Sequence, residues 1–327
     1  MSRFIVQRLL QAIPVFLVIT LITFVLINLT PGGPLARLEL DKDIKPADIE
    51  RIRTNMGLDQ PMWKRYLVWL GVVPNSRGEF AGLLEGEMGI SYIDQTSVAE
   101  NIVDRLPNTL LLTVTSLLIS LLIAVPLGVI SAVKRHTLLD NVATVLSTAG
   151  VSIPAFWFGL MAILLFSVKL RWLPSGGMYT LGQEQSRWDL LKHLLMPASI
   201  LSILNVAGWN RYVRSSMLEV LGQDYLRTAR AKGLGEKLVI ARHALRNALI
   251  PVATLIGLSL PSLVGGALVT ETIFGWPGMG RLAYHAATKR DYPIIMGVLV
   301  ISSLMVLLGS LLSDVAYMAL DPRIRAD

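Results

Sequence analysis

Apolar side chains fall into six long blocks along the 327 residues, at 9–29, 109–133, 142–168, 194–209, 249–270 and 294–320. About twenty consecutive apolar residues carry a helix across the roughly 30 Å hydrocarbon layer. The blocks lack the alternation of barrel strands, and lipid tolerates no open sheet edge, so the pattern predicts an all-α integral membrane protein with about six transmembrane helices. The block at 194–209 is the weakest, being short and holding Pro197 and Asn205. Pro126 and Gly128 interrupt the second block and Pro154 the third. Each proline removes a backbone hydrogen bond and bends or loosens its helix. Such breaks belong either to close packing or to the wall of a water-filled path, so Pro126 and Pro154 stand as pore or gate candidates.

Two polar stretches break the apolar rhythm. Residues 30–108 carry Pro, Gly and charges of both signs, with a short surface helix expected near 46–56. This is far longer than the turns that suffice to join spans, so it predicts an ordered external cap. The second stretch is 211–247. A third segment, 271–282, is rich in Gly and Pro yet holds Ile273, Phe274, Trp276 and Met279, which are apolar for a loop. It reads as a partly re-entrant turn at a pore mouth, with Phe274 and Trp276 added to the pore or gate candidates; an ordinary external turn is the alternative.

Composition agrees with the pattern: 53% of residues are hydrophobic, 16% charged, and mean hydropathy is +0.57. Soluble domains run near a quarter charged. The net charge of +7 points to positive-inside loops rather than nucleic acid, because no basic stretch is interleaved with aromatics. With the amino terminus inside, fourteen Lys and Arg fall on cytoplasmic segments, eight of them within 211–247. Seven fall on the two short external loops, which favours both termini in the cytoplasm. Arg3 and Arg8 before the first block resemble a secretory signal, but the run is too long and Thr30-Pro31-Gly32-Gly33-Pro34 lacks a cleavage pattern, so it is expected to be a retained span. The chain has no cysteine, which excludes disulfides and thiol chemistry.

Catalytic constellations are missing from the sequence. Gly233-Leu234-Gly235-Glu236-Lys237 has neither the spacing nor the Ser or Thr of a phosphate-binding loop. His136, His193, His243 and His285 are scattered, so no metal site is expected. An ion-coupled carrier keeps ionisable residues at mid-membrane, and Asp314 is the one candidate seen. A transporter with neither ion relay nor nucleotide site draws its energy from another subunit. A stand-alone carrier or channel, and a membrane-embedded enzyme, are the competing classes.

The stretch 211–247 has internal design. Asp224 to Ala231 reads as a helix with an acid at its start, Lys232-Gly233-Leu234-Gly235 as a break, and Glu236 onward as a second helix. That makes a knob, with small Ala229 and Ala231 and basic Arg227, Arg230 and Lys232 offered to a partner. The loop resembles the EAA loop of ABC-importer permeases: with the family glycine set on Gly233, Ala229, Gly233 and Leu245 agree with the pattern, whereas Arg227 stands for the acid and Arg246 for the proline. The departures resemble the dipeptide/oligopeptide/nickel branch, whose version is similar to RTARAKGL followed by RHALRNALIP. The opening RFIVQRLLQAIPVFLVITLITFVLINLTPGGP, WLPSGG, ETIFGWPGMGRL, RDYP and ALDPRIR also resemble that branch, first permease subunit type, as does GEMGIS beside its GDLGxS.

The resemblance implies a type I ABC importer permease fold in four parts: a first helix at 1–29, an external cap at 30–108, a five-helix core at 109–320 containing the coupling loop 211–247, and a tail at 321–327. It implies multi-pass insertion in the cytoplasmic membrane and ATPase docking through Thr228, Ala229, Arg230, Gly233, Leu234 and Leu245. The expected partners are a second homologous permease, two ATPase subunits that bind ATP and Mg, and an extracytoplasmic substrate-binding protein. No cofactor, metal or nucleic acid is expected on this chain itself. Peptides are the implied cargo, with nickel chelates or oligosaccharides as alternatives.

Overall fold

A computed structural model describes residues 2–29, 46–55, 57–75, 78–259 and 267–320. In chain order the helices are α1 (Ser2–Asn28), α2 (Pro46–Asn55), α3 (Met62–Leu70), α4 (Val98–Val133), α5 (Leu138–Ser152), α6 (Ala155–Ala162), α7 (Arg187–Leu221), α8 (Asp224–Ala231), α9 (Glu236–Leu238), α10 (Leu245–Ser259), α11 (Leu268–Ile273), α12 (Met279–Lys289) and α13 (Tyr292–Leu320). Wider π-helical turns follow α6 at Ile163–Lys169 and α9 at Val239–Ala244.

Four of the described helices are long and apolar enough to cross a membrane: α1, α4, α7 and α13. The third expected span is a pair of helices, bent by 99° between α5 and α6. The cause is local: Pro154 stands at the N-cap of α6 and cannot donate a hydrogen bond back into α5. The fifth block is helical at Leu245–Ser259 and again at Leu268–Ile273; its middle lies outside the described residues. The fourth block, short by composition, is part of a helix of 35 residues. Ser186 caps that helix by accepting from the Asp189 amide at 3.2 Å, and Pro197 is accommodated within it. Large apolar side chains remain exposed along the spans, Leu122 at 75% and Leu146 at 66% among them. Patches of this kind are a liability in water and a requirement in hydrocarbon.

The chain divides into two compact units. The first comprises Met1–Pro107 and Arg281–Leu307. Here α1 is held to α3 by Phe24 and Tyr66, whose rings meet edge to face at 5.4 Å, and by the Thr20 and Tyr66 hydroxyls at 2.9 Å. Arg65 lies 5.9 Å over the Phe24 ring. Gly71, in the left-handed region at φ 87°, ends α3 and lies so close to Gly82 that a Cβ there would come within 2.3 Å of the Gly71 nitrogen. The segment after it closes into a turn by a single antiparallel bridge between Ile90 and Ser97. Asp291 clamps this turn, accepting from the Ser91 hydroxyl and from the Tyr92 amide at 3.1 Å. Two of the family-like motifs, GEMGIS and RDYP, therefore meet in space.

The second unit comprises Asn108–Gly280 and Leu308–Asp327. Helices α4 and α7 cross at Gly128, whose missing side chain makes room: a Cβ there would lie 2.7 Å from Val213 Cβ and 3.1 Å from the Asn210 carbonyl. Helix α5 packs along α7 through a seam in which Asp140 binds Arg214 and Asn210 donates to Ser147 at 2.9 Å.

The Gly128 crossing yields a paired expectation. Adding a methyl to a close helix contact forces backbone shifts costing about 1–3 kcal/mol. Gly128→Ala is expected to lower the unfolding temperature of the detergent-purified protein. Gly208→Ala on α7, where a Cβ meets nothing within 4 Å among the described residues, is expected to leave it unchanged or raise it. Equal effects of the two substitutions in thermal unfolding would remove the crossing as a constraint.

Candidate functional site

The stretch after α7 folds as a knob on a stem. Helix α8 begins after extended Gln223, with Asp224 in its first turn, where a carboxylate favours the exposed amides. It ends at Lys232, and Gly233 follows at φ 79°, its amide donating to the Arg230 carbonyl at 2.9 Å. Gly235 is extended and starts the short α9. The expected helix, glycine break and second helix are all present.

What fixes the knob is its inner face. Leu226 and Ala229 from α8 and Val239 and Ala244 from the π-helical turn belong to one buried apolar core with Val213 and Met217 of the α7 stem. Leu226, Val239, Val213 and Met217 are fully buried. Burying each such side chain stabilises by about 1.5–3 kcal/mol, so the knob is a docked element and not a solvated loop. Asn247 reaches across from α10 to the Tyr225 hydroxyl at 3.0 Å.

Across the break, Arg230 and Glu236 form a two-pronged ion pair at 2.9 and 3.0 Å. The Arg230 guanidinium holds the Glu236 carboxyl below its ordinary value, and Glu236 raises Arg230 in turn. Both side chains are exposed, so the pair sets the angle of the break more than it adds stability. Because the Glu236 value is lowered, the brace is in place above the ordinary carboxylate range and is lost as pH falls through the lowered value.

The residues expected to dock a partner separate into three groups. Thr228 and Gly233 are exposed on the outer side, where Arg227, Ala231, Lys232, Lys237 and Arg242 are exposed as well. Arg230 is engaged with Glu236. Ala229, Leu234 and Leu245 pack into the knob's own core, so the small size of Ala229 serves internal packing, and Ala231 is the exposed alanine. Among the pore or gate candidates, Pro126 and Pro154 are exposed on the chain, Pro154 at the bend. Phe274 and Trp276 are instead buried anchors. The Phe274 carbonyl accepts from Gly177 at 2.7 Å, tying WLPSGG to ETIFGWPGMGRL, and the Trp276 indole donates to the Asn108 carbonyl at 2.9 Å.

Sequence reasoning saw Asp314 as the ionisable residue of the spans and missed the buried acids at block ends. Glu271 is fully buried, accepting from the Thr109 hydroxyl at 2.7 Å, while Thr109 accepts from the Met279 amide at 2.7 Å. The glycines of FGWPGMG leave its niche open: a Cβ on Gly278 would lie 2.3 Å from the Glu271 carboxyl. Asp140, on the first turn of α5, accepts two bonds from Arg214 at 2.7 and 2.9 Å and one from the His136 amide at 3.0 Å. Among the described residues no group of three metal-ligating side chains converges.

Comparison with known proteins adds the family and the fold to this geometry. Residues 124–326 match the profile described as binding-protein-dependent transport system inner membrane component, and residues 1–113 match its N-terminal companion. The chain is 44% identical to the oligopeptide transport system permease protein AppB of Bacillus subtilis (strain 168), over 99% of each chain. It is 38% identical to the dipeptide transport system permease protein DppB of Escherichia coli (strain K12), again over 99% of each. Among solved structures, the MetNI methionine ABC transporter in an inward-facing conformation superposes with a TM-score of 0.55 at 20% identity, covering 67% of this chain and 95% of that one.

The knob makes a conformational expectation. An L-residue in the left-handed region costs roughly 1–2 kcal/mol, Asn pays less, and a β-branched residue fits worst. Among the described residues no neighbour lies within 4 Å of a Cβ at Gly233, so backbone strain is isolated from crowding. Gly233→Val is expected to abolish partner association and transport with membrane insertion retained, and Gly233→Asn to preserve most of both. Copurification of ATPase subunits and uptake assays check this, and identical behaviour of the two variants would refute the role of the glycine.

Proposed function

The chain belongs to the family of binding-protein-dependent transport system inner membrane components, and on that premise we propose that it is one permease subunit of an ATP-driven importer of dipeptides or oligopeptides. The observation that carries the reading is the full-length likeness to oligopeptide and dipeptide permeases, which takes in the knob. The knob is shaped for docking: an exposed basic outer side, a glycine break, and an inner face welded to a 35-residue helix.

In this reading the outer side of the knob seats in a groove of an ATPase subunit. ATP and Mg bind there and not on this chain. Ligands shift a two-state transporter only through differential affinity for the two states, so nucleotide bound elsewhere acts through the contact made by the knob. A second, homologous permease subunit completes the path, and an extracytoplasmic binding protein delivers the peptide to the side that carries residues 30–108 and the loop around Gln183. The chain sits in the cytoplasmic membrane with both termini and the knob inside.

Two outcomes are expected. The sequence has no cysteine, so single replacements report topology cleanly. Gln183→Cys should react with an impermeant maleimide in sealed cells, and Gly235→Cys should not; labelling of Gly235→Cys would overturn the orientation. In proteoliposomes the lone subunit should neither hydrolyse ATP nor concentrate peptide, and the complex with both kinds of partner should do both. Concentrative uptake by the lone subunit without ATP would replace the importer with a stand-alone carrier.

A further inference from the structure

We propose that Asp140 and Arg214 form a strut that carries displacement of the knob into the membrane helices, so that both are positioning residues for coupling ATP hydrolysis to transport. The inference rests on the reading of the chain as an importer permease.

The load path is continuous within the second unit. Leu226 and Ala229 of the knob share one buried apolar core with Val213 and Met217 of α7. Arg214 is next to Val213 and three residues, less than one turn, before Met217, so a push on that stretch of α7 moves its guanidinium. The guanidinium holds Asp140 through two parallel bonds, at 2.7 and 2.9 Å, a geometry that transmits direction as well as attraction. The Asp140 side chain is 4% exposed, against 28% for Arg214.

Asp140 is also a junction. Its second oxygen accepts from the amide of His136, a residue held at φ 64° in the turn that joins α4 to α5. One carboxylate thus ties together the end of α4, the start of α5 and the stem of the knob. Further along the seam Gly150 lies beside Ala207, so α5 follows α7 as a packed pair toward the bend at Pro154. Close packing has discrete arrangements and does not stretch, which is why a shift at one end reaches the other. The neutral contact at Ser147 lacks the two-pronged grip and serves as the internal control.

The test uses the full importer reconstituted with its partner subunits, reading peptide uptake per ATP hydrolysed. Asp140→Asn keeps the size and an acceptor for the His136 amide but loses the ionic grip. It is expected to assemble and hydrolyse ATP while uptake per ATP falls by about tenfold. Arg214→Lys keeps the charge and loses the second prong, and a smaller fall in the same ratio is expected; it decides the matter if the Asn variant fails to assemble. Ser147→Ala is expected to leave the ratio unchanged. An unchanged ratio in both strut variants would overturn the proposal, as would uptake and hydrolysis that decline together with the amount of complex, or an equal loss in Ser147→Ala. If the wild-type complex does not link uptake to ATP at all, the importer reading itself fails and the strut falls with it.

Discussion

A backbone amide or a carboxylate placed within hydrocarbon has no water to turn to, and leaving one unpartnered costs several kcal/mol. Several irregularities among the described residues are paired with a device that supplies partners. The niche around Glu271 is the fullest case. Thr109 donates to the acid and accepts from the Met279 amide, Asn108 binds the Pro277 carbonyl, and the indole of Trp276 returns to the Asn108 carbonyl. Two consecutive residues at one point on α4 thereby hold a whole turn of irregular backbone. The glycines of that turn serve proximity, because any side chain at Gly278 would occupy the space of the carboxyl.

The same requirement explains which features were legible in the sequence. Six apolar blocks stand out because the membrane demands length and low charge, and each of them carries helix among its described residues. Block 194–209 looked short because Arg187, Lys192 and Arg211 dilute its flanks, yet those residues lie within one helix of 35 residues. The knob was readable to within a residue, since Asp224, Gly233 and Gly235 punctuate locally. Ser91 with Asp291, Thr109 with Glu271 and Asp140 with Arg214 were not, being 200, 162 and 74 residues apart. A single sequence carries no signal for such pairings. Ala229 was misjudged for a related reason: helical spacing puts it on a face, but only the stem behind it decides that the face is inward.

Stiffness and exposure are divided sharply in the knob. Its buried side is built from fully enclosed aliphatic residues, and its outer side is polar, basic and open. A partner that closes on such an element meets little give, because interiors packed to crystal-like density resist compression. The bend at Pro154 marks a change of direction in the spans, and the wide turn at Ile163–Lys169 follows shortly after it.

The clamp of Asp291 on the Ser91 turn bears on how the protein is made. The first unit takes its last part, Arg281–Leu307, from the far end of the chain, and Ser91 waits for an acceptor 200 residues downstream. At 5–20 residues per second, roughly 10–40 s of synthesis separate the two. Throughout that interval the ribosome is still producing the second unit, so the amino-terminal helix and the Ser91 turn are synthesised before the residue that locks the turn exists. Completion of the first unit therefore waits for the last third of the chain, and a chain truncated before Asp291 leaves the Ser91 turn unclamped.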